Sequence, residues 1–111
     1  MTNPSQVDVG AILAEAIARL RIALSPSAIY LYGSRANGTA GPQSDLDLLA
    51  IVPKSDLGAF ERDAIAYRAL GDLPFPIDVQ VYTQAEFEKR SALAVSFERT
   101  VVTTGKLVHA A

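Results

Sequence analysis

Two short stretches constrain this chain more than any others: Asp45–Val52 (DLDLLAIV) and Ile77–Tyr82 (IDVQVY). Each is strand-length and rich in aliphatic and β-branched residues, and the second alternates cleanly between apolar and polar positions. Between them Leu57, Phe60, Ala64, Tyr67 and Leu70 recur at three- and four-residue steps, the spacing of one helix face. Ser55 or Asp56 can cap that helix, and Gly71 can stop it. Strand, helix, strand is a βαβ unit. Its crossover is right-handed and its two strands run parallel, so both strands begin at the same end of the sheet.

The rest of the chain extends this pattern. Val9, Ile12, Leu13, Ile17, Leu20 and Leu24 predict an amphipathic helix over residues 5–25, ended by Ser25-Pro26 because the residue before a proline is pushed out of helical geometry. Ala28–Tyr32 (AIYLY) reads as a strand. Gly33–Ser44 is rich in Gly, Ser, Asn and Pro, and reads as a loop or short helical turn that returns the chain antiparallel to that strand. Thr83 with Glu86 is a capping box for a further helix, and a last helix runs from about Ala92 to Thr104, stopped by Gly105. The expectation is a small α/β domain with about three strands: a single unit over residues 1–111, its core at 28–108.

Composition removes several classes of function. At 111 residues the chain has room for one domain. Ten basic against 12 acidic residues give a net charge of -2, so there is no broad cationic footprint for nucleic acid. With no cysteine and a single histidine, His109, thiolate and imidazole metal sites are excluded, and any metal must be held by carboxylates. The opening MTNPSQVDVG lacks the basic and apolar regions of a signal peptide, and no apolar run approaches the roughly 20 residues that span a bilayer. A cytoplasmic protein with no membrane association is expected.

The chemistry concentrates in three acids and one loop. On a strand, Asp45 and Asp47 share a face, with Leu46, Leu48 and Ala50 on the other. Asp78, Gln80 and Tyr82 likewise oppose Ile77, Val79 and Val81. A parallel arrangement lets Asp78 approach Asp45 and Asp47. Like charges about 4 Å apart repel by on the order of 4 kcal/mol at an effective dielectric of about 20, so either a cation offsets them or a pKa rises. Magnesium is the economical cation, since it takes oxygen ligands from one or two carboxylates and from substrate phosphates. Gly33-Ser34 follows the first strand directly. A glycine there lets a phosphate approach backbone amides, and Ser34 adds a hydroxyl. Arg35 can serve either as a phosphate contact or in a surface salt bridge. Each feature alone has a plainer reading, as a strand-ending turn, a solvated strand entrance or an edge carboxylate. Tyr30, Tyr32, Tyr67 and Phe60 read as packing residues. His109 reads as a frayed terminal residue, and Glu86, Glu88, Lys89 and Arg90 as a solvated helix face.

Taken together, Gly33-Ser34, ten intervening residues and Asp45-Leu46-Asp47 resemble the signature of the DNA polymerase β-like nucleotidyltransferase superfamily. The wording GSRANG…SDLDLLAIV, the later PIDVQVYT and the short length resemble its minimal nucleotidyltransferase (MNT) group, over roughly Ile29–Leu107. The resemblance implies a mixed sheet with flanking helices. It also implies transfer of AMP from ATP to a hydroxyl with release of pyrophosphate. Asp45, Asp47 and Asp78 would hold two Mg2+ ions, Gly33 and Ser34 the nucleotide phosphates, and Asp78 would help activate the acceptor. Many members of the group carry a basic residue where this chain has Asn37.

The group is typically paired with HEPN-domain toxins. The resemblance therefore implies an antitoxin that adenylylates its toxin, on tyrosine in characterised cases. Because the donor-side core occupies nearly all of the chain, the acceptor is expected on a separate protein. Two other readings stand beside this one. The first is a non-catalytic module that neutralises its partner by contact. The second is a small-molecule nucleotidyltransferase of the antibiotic-modifying kind.

Overall fold

The structure, a computed structural model, describes residues 8–41 and 44–111. The expected start of the first helix at residue 5 lies outside them. Helix α1 (Val9–Leu24) begins where the Asp8 side chain accepts a hydrogen bond from the Ala11 amide, and it ends at Ser25 in left-handed geometry ahead of Pro26. Strand β1 (Ala28–Tyr32) follows, then the four-residue helix α2 (Ser34–Asn37), strand β2 (Leu46–Val52), helix α3 (Ala59–Leu70) and strand β3 (Ile77–Thr83). Helices α4 (Gln84–Ser91) and α5 (Phe97–Thr104) lead into strand β4 (Lys106–Ala110).

The sheet order is β3-β2-β1-β4. Strands β2 and β3 are parallel, as the βαβ reading requires, while β1 runs antiparallel to both of its neighbours. The expected three strands are thus four. Strand β4 escapes sequence analysis because it lies at the sheet margin and shows no buried alternation. It is placed by tight geometry: a Cβ on Gly105 would stand 2.9 Å from the Leu31 carbonyl oxygen, so only glycine lets the chain turn here alongside β1. His109 consequently sits in a strand, paired with Ile29, and is not a frayed end.

The two faces of the sheet are treated differently. Ile29, Leu31, Leu46, Leu48, Ala50, Val52, Val79 and Val81 form one buried face, which packs against Ala16 and Leu20 of α1 and Ala66 and Leu70 of α3. The other face buries only Leu49 and Ile51, under Phe87 of α4 and Val101 of α5, with Tyr30 stacked on Phe87. Helices α4 and α5 reach only part of that face, which leaves its Asp47–Asp78 end open.

Strand β3 is an edge strand, and three successive outward amides along it are engaged by side chains. Val79, Val81 and Thr83 donate to the Tyr67 hydroxyl (3.1 Å), the Asp63 carboxylate (2.8 Å) and the Glu86 carboxylate (2.9 Å). This blocks pairing with a further strand. Arg62, only 4% exposed, braces the same edge. It donates to the carbonyls of Val81 (3.3 Å) and Leu57 (2.7 Å) and pairs with Glu86 at 2.6 Å. Glu86 is therefore part of a brace rather than a freely solvated face. Arg62→Ala removes three charge-assisted bonds and is expected to cost roughly 2–3 kcal/mol in urea denaturation; a loss within 0.5 kcal/mol or so would show that the brace is dispensable.

Two boundaries differ from expectation. Helix α3 is capped by Gly58, with Ser55 bonding the Leu57 amide ahead of it. The last helix begins at Phe97 under a Ser96 cap, because the chain breaks helical geometry between Ala92 and Ser96.

Candidate active site

The open end of the second sheet face carries three residues in one row. The register pairs Tyr32 with Asp47 across β1–β2, and Asp47 with Asp78 across β2–β3. Residues paired directly across strands point to the same face, so the two acids face one another from neighbouring strands. Asp45 lies just ahead of β2, exposed at the strand entrance. Among the described residues, no three acidic or imidazole side chains converge on one metal-binding point.

Electrostatics mark Asp47 out. Partial burial raises its carboxyl above the ordinary range, and the charges of Asp78 and Asp45 raise it further. The ion pairs among the described residues are Arg19–Glu15, Arg19–Asp72 and Arg62–Glu86, none of which touches this row. Among the described residues, no cation pairs with these carboxylates.

Gly33 closes the site from the β1 side. Its backbone (φ 76°, ψ -158°) lies in a region that only glycine occupies readily, and a Cβ built on it would overlap the Asp47 Oδ2 atom. Gly33 and the Asp47 carboxylate therefore sit close together, which linear spacing could only suggest. Gly33 caps α2 without a side-chain bond, and its carbonyl accepts from the amides of Ala36 (3.1 Å) and Asn37 (3.2 Å). Ser34 follows, half-buried, at the first position of the helix.

Arg35 is occupied in holding the loop. It donates to the carbonyls of Ser44 (2.9 Å) and Gly41 (3.3 Å), and its guanidinium lies over the Phe75 ring at 5.1 Å. Asn37, at the position often basic in the MNT group, turns its side-chain oxygen back to accept from the Thr39 amide and hydroxyl.

Four polar residues around the row were not singled out by sequence analysis. Tyr67, expected to pack, donates its hydroxyl to Asp78 Oδ1 at 2.7 Å. Gln80, one pleat beyond Asp78 on the same face, donates to the Tyr32 hydroxyl at 3.1 Å. Burial, then the charges of Asp78 and Asp47, push the Tyr32 phenol up to about 12, so it stays neutral at physiological pH. Tyr82 donates to the buried Glu98 at 2.8 Å, and burial followed by that bond raises the Tyr82 phenol as well. The alternation in β3 places Gln80 and Tyr82 on this face. Glu98, in contrast, reaches it only through tertiary packing.

Comparison with known proteins gives a consistent picture. No curated protein is similar in sequence. Among solved structures, a candidate nucleotidyltransferase from Sulfolobus solfataricus superposes with a TM-score of 0.66 at 19% identity, over 96% of this chain and 87% of that one. A toxin–antitoxin structure with AMP-PNP gives 0.52 at 23% identity, over 88% and 73%. A toxin–antitoxin MntA-HpeT mutant gives 0.50 at 21% identity, over 95% and 75%. At these identities the likeness establishes the fold. The nucleotidyltransferase domain family matches residues 12–102, from the first helix through the last, and includes the Gly33-Ser34 turn and all three acids. The chain belongs to the nucleotidyltransferase domain family.

Proposed function

We propose that this chain transfers AMP from ATP to a hydroxyl, of the tyrosine type, on a separate HEPN-class toxin, and so acts as its antitoxin. The observation that supports this most is the row itself: Asp47 and Asp78 in register, in no ion pair among the described residues, against a glycine whose missing Cβ leaves room beside Asp47. The family match supports the reaction class. The likeness to toxin–antitoxin structures, one of them with AMP-PNP, supports the partner and the nucleotide.

The residues fit Mg2+ by the chemistry of their donors. All are carboxylate oxygens, and none is taken up by an ion pair among the described residues. Asp45, Asp47 and Asp78 would hold two ions. When bound, Mg2+ neutralises phosphate charge and stabilises the attacking and leaving oxygens of an in-line displacement. The chain's own groups do the rest. The backbone after Gly33 and the Ser34 hydroxyl bind nucleotide phosphates. Arg35 keeps that loop in place through the Ser44 and Gly41 carbonyls, and its N–H groups not used there would be its donors to the same phosphates. Asp78 receives the proton of the acceptor hydroxyl as the new phosphoester bond forms and pyrophosphate departs.

The test is intact mass of a co-purified toxin with and without Mg-ATP. A gain of one AMP per modified hydroxyl is expected, and it should be absent with Asp45→Ala or Asp47→Ala. An unmodified partner that is nonetheless neutralised would overturn the catalytic reading.

A second reading is neutralisation by contact alone. It draws on Leu93, Val95 and Phe97, apolar and exposed in close succession between α4 and α5. The Asp45/Asp47 double variant separates the two, since it would still neutralise the toxin in this case.

A further inference from the structure

We infer that Tyr67 is a positioning residue for the third carboxylate. Its hydroxyl lies between two partners: it accepts from the Val79 amide at 3.1 Å and donates to Asp78 Oδ1 at 2.7 Å. Both partners belong to β3, on either side of one peptide unit, while Tyr67 stands on α3. The arrangement is a polarised chain, amide to hydroxyl to carboxylate, in which each bond strengthens the next. Because a phenol has a single proton, the direction is set: the Val79 amide can only donate, so the hydroxyl proton goes to Asp78.

The consequence for Asp78 is geometric. It is an exposed acid on an edge strand, and an unrestrained carboxylate there samples several rotamers. With Oδ1 held by Tyr67, the Oδ2 lone pairs are left for a ligand, and the carboxylate plane is set relative to Asp47 in the neighbouring strand. Groups that orient a metal-binding carboxylate typically contribute 10- to 100-fold in affinity or activity. Tyr67 is itself 44% exposed, so loss of its hydroxyl leaves the core intact.

The alternative is that Tyr67 serves only as a cap for the β3 edge, as Asp63 does for Val81 two residues on. A cap contributes to stability but does not act through Asp78. The inference rests on the proposed role of the carboxylates, and the experiment separates failure of one from failure of the other. Mn2+ binding is measured by electron paramagnetic resonance with a non-hydrolysable ATP analogue, in the wild type, Asp47→Asn, Asp78→Asn, Tyr67→Phe and the Tyr67→Phe/Asp78→Asn double variant.

Tyr67→Phe is expected to weaken Mn2+ binding about 10-fold in the wild-type background and to change nothing further once Asp78 is Asn, the non-additivity of two groups acting as one. Wild-type affinity in Tyr67→Phe, or an equal loss in both backgrounds, would overturn the inference while leaving the carboxylate reading in place. Unchanged binding in Asp47→Asn and Asp78→Asn would overturn both. A measurement on the unaltered chain gives an independent check. Mg2+ with the analogue should slow amide exchange at Val79 several-fold through the shared hydroxyl; slowed exchange at Ser34 with none at Val79 would count against the coupling.

Discussion

Asp47→Asn is expected to stop nucleotidyl transfer and at the same time to stabilise the metal-free chain. In the proposed metal-binding role, loss of this carboxylate removes several kcal/mol of transition-state stabilisation, hence a fall in rate of about 10³-fold or more. The stability effect has the opposite sign. Burial and the charges of Asp78 and Asp45 raise the Asp47 carboxyl in the folded chain. The folded state therefore binds that proton more tightly than the unfolded state, so its stability increases as pH falls through the raised value. Above it, the full penalty of the buried charge is carried. Asparagine keeps the shape and lifts the penalty. At neutral pH, without metal, the melting temperature should rise by a few degrees, and the gain should shrink as pH falls into the ordinary carboxylate range. Mg2+ should raise the wild-type melting temperature and leave that of the variant nearly unchanged. A variant no more stable than wild type, or a gain independent of pH, would refute the electrostatic account.

Gly33→Ala is expected to damage both the fold and the site. The backbone at φ 76°, ψ -158° costs a residue with a Cβ about 1–3 kcal/mol, and that Cβ would also overlap Asp47 Oδ2. Relief requires moving either the carboxylate or the start of α2. Displacement by about 1 Å in a positioned site can cost on the order of 100-fold in rate. Urea denaturation and binding of a non-hydrolysable ATP analogue read the two effects separately. Gly41→Ala is the control, since an added Cβ there meets no atom of the described residues within 4 Å. An analogue affinity equal to wild type in Gly33→Ala would mean that the turn does not cradle the nucleotide.

Much of the fold was legible because its determinants are local. Proline after Ser25, the Thr83–Glu86 capping box and the two-residue alternation of IDVQVY each act within a few residues of chain. The parallel pairing of β2 with β3 followed from handedness, and the antiparallel return of β1 into β2 from the shortness of the loop. Strand β4 was not legible. An edge strand buries little and so leaves no periodic signal, and its position depends on Gly105 passing close to Leu31.

The site divides along the same line. The kinds of residue that can hold a cation and a phosphate, and the face on which each carboxylate lies, were determined by sequence alone, because parity along a strand is a property of the backbone. Only the tertiary structure decided which atoms meet. It set Asp47 against Asp78 and Gly33, turned Arg35 to the carbonyls of its own loop, and brought Tyr67 from a neighbouring helix onto Asp78. The Asp47 contacts join different strands and arise only when β1, β2 and β3 pair in this register, and the Tyr67–Asp78 bond arises only when α3 packs across the sheet and its polar side chains cap the β3 edge; the Arg35 bonds stay within one loop, but spacing along the chain does not say which way a long side chain turns.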